Sequence, residues 1–229
     1  MKNAVLSLKS QLPWMLKTEL HRWLAASAMF SVLMVMARIV YTGERTFIFL
    51  VWNLFLAYVP FFITGWLQHR PNWIEVRWKF AAAFLCWLAF VPNTFYIITD
   101  LFHLRSFFSM PMWFDLALIL SFAWNGLLLG ILSVRDMERM TRLHLGYRNE
   151  LYFIFPIMFL NAFGVYIGRY LRFNTWDILA SPFGLVLDIM DVITHPIAYK
   201  NAWGMVICYG TLMSLIYITL KKMSRSLIK

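Results

Sequence analysis

Charge is what this chain has least of: 14% of its 229 residues are charged, and only 11 of them are acidic. A soluble domain carries roughly a quarter charged residues and about 45–50% apolar ones, against the 61% hydrophobic content here. A soluble chain this small has too much surface for its volume to bury that excess, so the excess must face lipid. Cysteine is scarcer still. Cys86 and Cys208 are the only two, each inside a long apolar run, which excludes a secreted disulfide scaffold and makes a cysteine metal pair improbable. Eight prolines and ten glycines are too few for a collagen-like or low-complexity chain. Phosphate-cradling glycine loops, dinucleotide glycine motifs and nucleophile elbows are absent, which disfavours nucleotide-driven chemistry.

What is present is a series of apolar runs. Six are long enough to cross a bilayer, which takes roughly 17–25 residues, and fall at about 23–41, 47–67, 80–99, 113–133, 151–168 and 203–220. Aromatic residues stand at many ends, including Trp23, Tyr41, Trp66, Trp113, Tyr170 and Trp203, as interfacial anchoring requires. No secretory signal, internal repeat or interdomain linker is evident. The expected architecture is an all-α polytopic helix bundle, one transmembrane domain over residues 1–229.

Two segments outside the spans also read as membrane-facing. The leader Leu6–Leu20 mixes apolar residues with Lys9 and Lys17 and reads as a surface helix interrupted at Pro13. In the fifth loop, Ser181-Pro182 offers a cap and a first-turn proline, so Phe183–Thr194 reads as a short interfacial or re-entrant helix.

The net charge of +10 and a pI near 9.8 would suit nucleic acid, but the cations lie between apolar runs and form no basic stripe, so no nucleic-acid partner is expected. Counted by side, 15 Lys and Arg fall with the termini and the second and fourth loops, and 5 with the other loops. The positive-inside rule then predicts cytoplasmic N- and C-termini.

Polar residues gather on the opposite, outer side. In span three, Asn93, Tyr96, Asp100 and His103 follow steps of three, four and three, one stripe if an α-helix continues to His103. A carboxylate and an imidazole are costly in lipid, so that stripe should face the bundle interior or water. Arg38, Glu44, Asn53 and Asp115 lie at comparable depth, as do Arg169 and Arg172, followed by Asn174, Asp177, Asp188, Asp191 and His195. Pairing of the arginines with outer carboxylates is the plainer reading; capture of an anionic headgroup or phosphate is the sharper one. The sharper reading makes Asp100, His103 and Asp115 catalytic, with Asn53, Asn93, Tyr96, Arg169 and Arg172 holding substrate. Asp100, His103 and Asp115 would also serve as candidate ligands for a divalent metal, although their spacing matches no strong metal motif. Gly126-x-x-x-Gly130 and Gly164-x-x-x-Gly168 fit close helix packing within the chain or, less favoured, in a homo-oligomer.

The strings Trp52–Pro60 (WNLFLAYVP), Pro92–His103 (PNTFYIITDLFH), Trp113-Phe114-Asp115, Trp124-Asn125-Gly126 and Gly164–Arg172 (GVYIGRYLR) together resemble an uncharacterised bacterial membrane family with a domain of unknown function. The likeness runs from about Trp52 to Asp177. It implies a bacterial inner-membrane protein and supplies no activity, cofactor or site residue. Three functional classes remain: an enzyme on a lipid-linked or phosphorylated substrate at the outer leaflet, placed first; a structural or assembly subunit among lipids and a membrane partner protein; and a small-solute transporter. The transporter is disfavoured because the inner halves of the spans are nearly all apolar, with Asn125 and Asn161 the deepest exceptions.

Overall fold

The computed structural model describes residues 14–105, 110–173 and 182–226. In chain order these form α1 (Trp14–Thr42), α2 (Ile48–Gln68), α3 (Pro71–Glu75), α4 (Arg77–Phe90), α5 (Pro92–Tyr96) and a 3₁₀ helix (Ile97–Arg105). These are followed by α6 (Met112–Leu145), α7 (Leu151–Tyr166), a π-helical turn (Ile167–Leu171), α8 (Pro182–Thr194) and α9 (Lys200–Ser226). No strand occurs among the described residues. The fold is an all-α polytopic bundle. Six helical stretches are long and apolar enough to cross a membrane: Glu19–Thr42, Ile48–Gln68, Arg77–Leu104, Met112–Leu145, Leu151–Leu171 and Lys200–Ser224.

Internal contacts divide the chain into two compact units, Met1–Gly146 and Tyr147–Lys229. In the first, α6 packs against α1, α2, α5 and the 3₁₀ helix. Its core joins Val35 of α1, Leu50, Leu54 and Ala57 of α2, Ile97, and Leu118, Ile119, Phe122 and Leu129 of α6, all buried. The sequence ends the fourth span near residue 133, but α6 runs on to Leu145. At about 1.5 Å per residue its 34 residues span roughly 50 Å, beyond the apolar thickness of a bilayer. The extension is polar yet helical: Glu138 pairs with Arg142 one turn on, and Gly146, at φ 62°, adopts the left-handed conformation that closes the helix, its N–H reaching the Arg142 carbonyl at 2.9 Å.

The third span is interrupted as its proline demands. Pro92 has no N–H and its ring would strike the carbonyl four residues back, so α4 stops at Phe90. Thr94 restores order locally, its amide and its hydroxyl both donating to the Val91 carbonyl, at 3.1 and 2.7 Å. Beyond Tyr96 the chain tightens into nine residues of 3₁₀ helix, an unusual length for that form.

In the second unit α7 lies along α9. Glu150 at the start of α7 meets Lys221 near the end of α9 at 2.6 Å, which fixes the pair antiparallel. Gly210 permits the close approach, since a Cβ there would sit 3.0 Å from the Phe159 ring. The short helix α8 is held by Val192, which is buried, and by the Trp203 indole N–H donating to the Val192 carbonyl at 3.2 Å. On its exposed side Phe183, Val186, Leu187 and Met190 form one apolar face, the pattern of a helix lying in a membrane interface. Both thiols, Cys86 and Cys208, are unpaired. The leader up to Pro13, and Asn174, Asp177 and the Ser181 cap, lie outside the described residues.

Candidate functional site

Asp100 sits in the 3₁₀ helix and is completely buried. Its carboxylate accepts a hydrogen bond from the Asn53 amide of α2 at 2.9 Å. A 3₁₀ helix has three residues per turn, so Ile97, Asp100 and His103 stack along one line. The stripe of four expected from α-helical steps is therefore not kept: Asn93 and Tyr96, on α5, precede the change of pitch. Asn93 instead donates to the Phe90 carbonyl at 3.0 Å, across the proline break. His103 is half-buried, its Nδ1 3.3 Å from the Asp100 carbonyl and its ring 5.3 Å from the Phe49 ring.

Asp115, in the first turn of α6, is occupied by a different partner. The Arg38 guanidinium of α1 donates to both carboxylate oxygens, Nε to Oδ1 at 2.8 Å and Nη2 to Oδ2 at 3.3 Å. Each side chain is 1% exposed. Glu44 approaches the same guanidinium at 3.6 Å, and the Phe47 ring lies beneath it at 4.6 Å. A bidentate fork with a ring face is the arrangement arginine suits best. It also supplies the counter-charge that a buried carboxylate needs.

The remaining sequence-derived positions divide between the units. Asn53, Asn93, Tyr96, Asp100, His103 and Asp115 belong to the first, and Arg169 and Arg172 to the second. Arg169 is half-buried in the π turn; Arg172 is exposed and ends it at φ 60°, a left-handed conformation uncommon for a side chain with a Cβ. Among the described residues no three His, Cys, Asp or Glu side chains come together as metal ligands, because the Asp115 oxygens face Arg38 and Asp100 faces Asn53.

Other interhelical contacts have partners that the sequence does not reveal, although Asn125, deep in span four, is itself a residue expected to bond a neighbouring helix. The Trp87 indole of α4 donates to the Ser133 hydroxyl of α6 at 2.7 Å, with both side chains buried. Asn125 of α6 donates to the Ser31 hydroxyl of α1 at 3.1 Å and to the Ser121 carbonyl at 2.8 Å. Serine and tryptophan in apolar runs carry no local signal of a partner 46 or 94 residues away. Asn161 of α7 is fully buried, and among the described residues neither of its amide atoms has a hydrogen-bond partner.

In the second unit, Tyr199 donates its hydroxyl to Asp191, and His195 lies 2.9 Å from the same carboxylate. The bond to Asp191, then the nearby negative charge, raise the Tyr199 pKa above the usual 10.0. The neutral phenol is the bound form, so this contact is fully present below pH 10 and is lost as the pH climbs through the raised value. Asp191→Asn should lower the Tyr199 pKa toward the ordinary phenol value, seen as an earlier rise of phenolate absorbance in an alkaline titration. An unmoved titration curve would show that the carboxylate does not hold the phenol.

A family model described as "Protein of unknown function (DUF1361)" matches residues 52–216, more than two thirds of the chain and beyond the Asp177 limit of the likeness in the strings. No curated protein and no solved structure matches.

Proposed function

Because the chain belongs to the DUF1361 family of proteins of unknown function, we propose that this multi-pass membrane protein is a structural or assembly subunit of a membrane complex. One observation carries the reading: four polar side chains within the spans of the first unit make bonds between helices. Arg38 ties α1 to α6, Asn53 ties α2 to the 3₁₀ helix, Asn125 ties α6 back to α1, and Trp87 ties α4 to α6. Such bonds add up to about 1–2 kcal/mol each in a bilayer and fix which helices meet. A catalytic carboxylate must face its substrate, whereas Asp100 and Asp115 are 0% and 1% exposed.

A second reading, an enzyme on a lipid-linked or phosphorylated substrate at the outer leaflet, draws support from His103, half-buried at the end of the 3₁₀ helix and backed by Asp100. Asp100→Asn and His103→Ala separate the two. For a structural subunit, complementation of a deletion strain should fall in proportion to the loss of thermal stability. Full thermal stability with lost complementation would favour the enzyme.

The proposed setting is a bacterial inner membrane with both termini cytoplasmic, supported by the 15-to-5 charge split. Reporter fusions after Glu44, His103 and Thr194 should read as external, and those after Pro71, Gly146 and Ser226 as cytoplasmic. The reverse pattern would put His103 on the cytoplasmic face and remove the outer-leaflet reading.

A further inference from the structure

Between the second and third spans, residues 69–79 form a cleft of about 320 Å³ lined by His69, Arg70, Pro71, Asn72, Trp73 and Lys79. The volume lies at the lower end of the range for small-ligand pockets, roughly 300–1,000 Å³, enough for a headgroup-sized molecule. Its position is a membrane boundary by construction, since Gln68 ends one candidate span and Arg77 begins the next. Three Lys or Arg side chains occur in this segment against one acid, Glu75. Among the described residues neither Arg70 nor Lys79 forms an ion pair with Glu75 or with any other carboxylate. Each is placed instead on an indole: the Arg70 guanidinium 5.5 Å from the Trp66 ring centre and the Lys79 ammonium 5.6 Å from that of Trp78. Trp73, which lines the cleft, meets Trp66 edge-on at 4.9 Å and is held in place by it. Ring contacts of this kind use no acceptor, so the N–H donors of both cations are left for a ligand.

We propose that this cleft binds the phosphate oxyanion of an anionic lipid headgroup, with Arg70 as the fork, Lys79 as the second cation and the Asn72 amide as a neutral donor. The chemistry follows from the donor set. A guanidinium matches two phosphate oxygens at once, an ammonium acts as a point charge, and indoles at the interface lie against the glycerol and upper acyl region. The same residues are the ones that the charge count treats only as orientation signals; their shared cleft gives them a ligand.

The test uses the full chain purified in neutral detergent and exposed to equal amounts of phosphatidylglycerol and phosphatidylcholine, with retained lipid counted by native mass spectrometry. The wild type should retain phosphatidylglycerol in clear preference. Arg70→Gln with Lys79→Gln should weaken that retention by about tenfold or more, since each basic group near an anionic surface contributes roughly a fivefold factor. Arg22→Gln with Arg148→Gln removes equal charge from two exposed positions that do not line the cleft and should leave the preference largely in place. If the double variant loses its helical signal, Lys79→Gln alone serves, with a loss of about fivefold. Added inorganic phosphate identifies the source: displacement of lipid at millimolar levels assigns the oxyanion site to free phosphate, and no displacement assigns it to the headgroup. A wild type without preference, or an equal loss in the charge-matched control, overturns the site.

Discussion

Asp115→Leu, made alone, is expected to lower stability by about 3–5 kcal/mol, because it leaves the Arg38 guanidinium buried without its counter-charge. For a chain of this length that corresponds to a fall of roughly 10 °C in the melting temperature of the detergent-solubilised protein. Adding Arg38→Met to the same chain should recover most of the loss. The reason lies in the balance of terms: desolvating two ions costs several kcal/mol apiece, and their attraction returns about that much, so an apolar pair of similar volume comes out nearly even. The recovery is therefore the diagnostic measurement. If the double variant melts no higher than Asp115→Leu alone, the two side chains are not each other's partners. If the single variant melts like the wild type, the guanidinium has another acid within reach, and Glu44, at 3.6 Å, is the one to remove next.

Gly126→Leu should be at least as damaging, and for a steric reason. A Cβ on Gly126 would lie 2.6 Å from the Thr94 carbonyl oxygen and 3.0 Å from Ile97 Cδ1; one on Gly130 would lie 2.4 Å from the Thr94 hydroxyl. The first obstacle is backbone and cannot swing aside, whereas the second belongs to a side chain that already donates to Val91. Overpacking of this kind costs about 1–3 kcal/mol where side chains can adjust, and more where they cannot. Gly130→Ala is thus expected to be milder than Gly126→Ala, and Gly126→Leu to lose folded protein altogether when scored by monodisperse yield. Equal yields for Gly126→Leu and the wild type would mean that α6 does not rest on the Pro92–Ile97 segment.

The spans were legible because lipid imposes length and composition on every crossing helix. Each expected span overlaps a helical stretch of the structure; the third, fourth and sixth run longer than expected, and the fourth is extended most, to Leu145, since nothing in Arg135–His144 forbids helix once the apolar run has ended. The Gly126 and Gly130 pair was also legible, as small residues four apart in an apolar run. The polar residues were visible, and so was the kind of pairing, arginine with an outer carboxylate; which arginine meets which carboxylate was not. Asp100 and Asp115 read as neighbours with His103 in one site, and yet each is taken by a residue from another helix, Asn53 or Arg38. That choice depends on which helices pack side by side, and periodicity along one helix does not encode it. The change of pitch after Tyr96 was hidden for a related reason: the steps from Asn93 to His103 suit an α-helix, and the long 3₁₀ stretch arises where α5 and Ile97 are pressed onto the glycines of α6.

That 3₁₀ stretch also acts as a length device. Each of its nine residues advances about 2.0 Å along the axis instead of 1.5 Å, so Ile97–Arg105 reaches roughly 18 Å where an α-helix would reach about 13.5 Å. At His103, six steps into the stretch, the difference is about 3 Å, which carries the imidazole further along the helix axis than α-helical spacing implies. Rewinding the stretch into α-helix would draw His103 inward and rotate it away from Asp100, moving the imidazole in depth and in azimuth together. The depth of His103 along its span therefore depends on local pitch as well as on its place in the sequence.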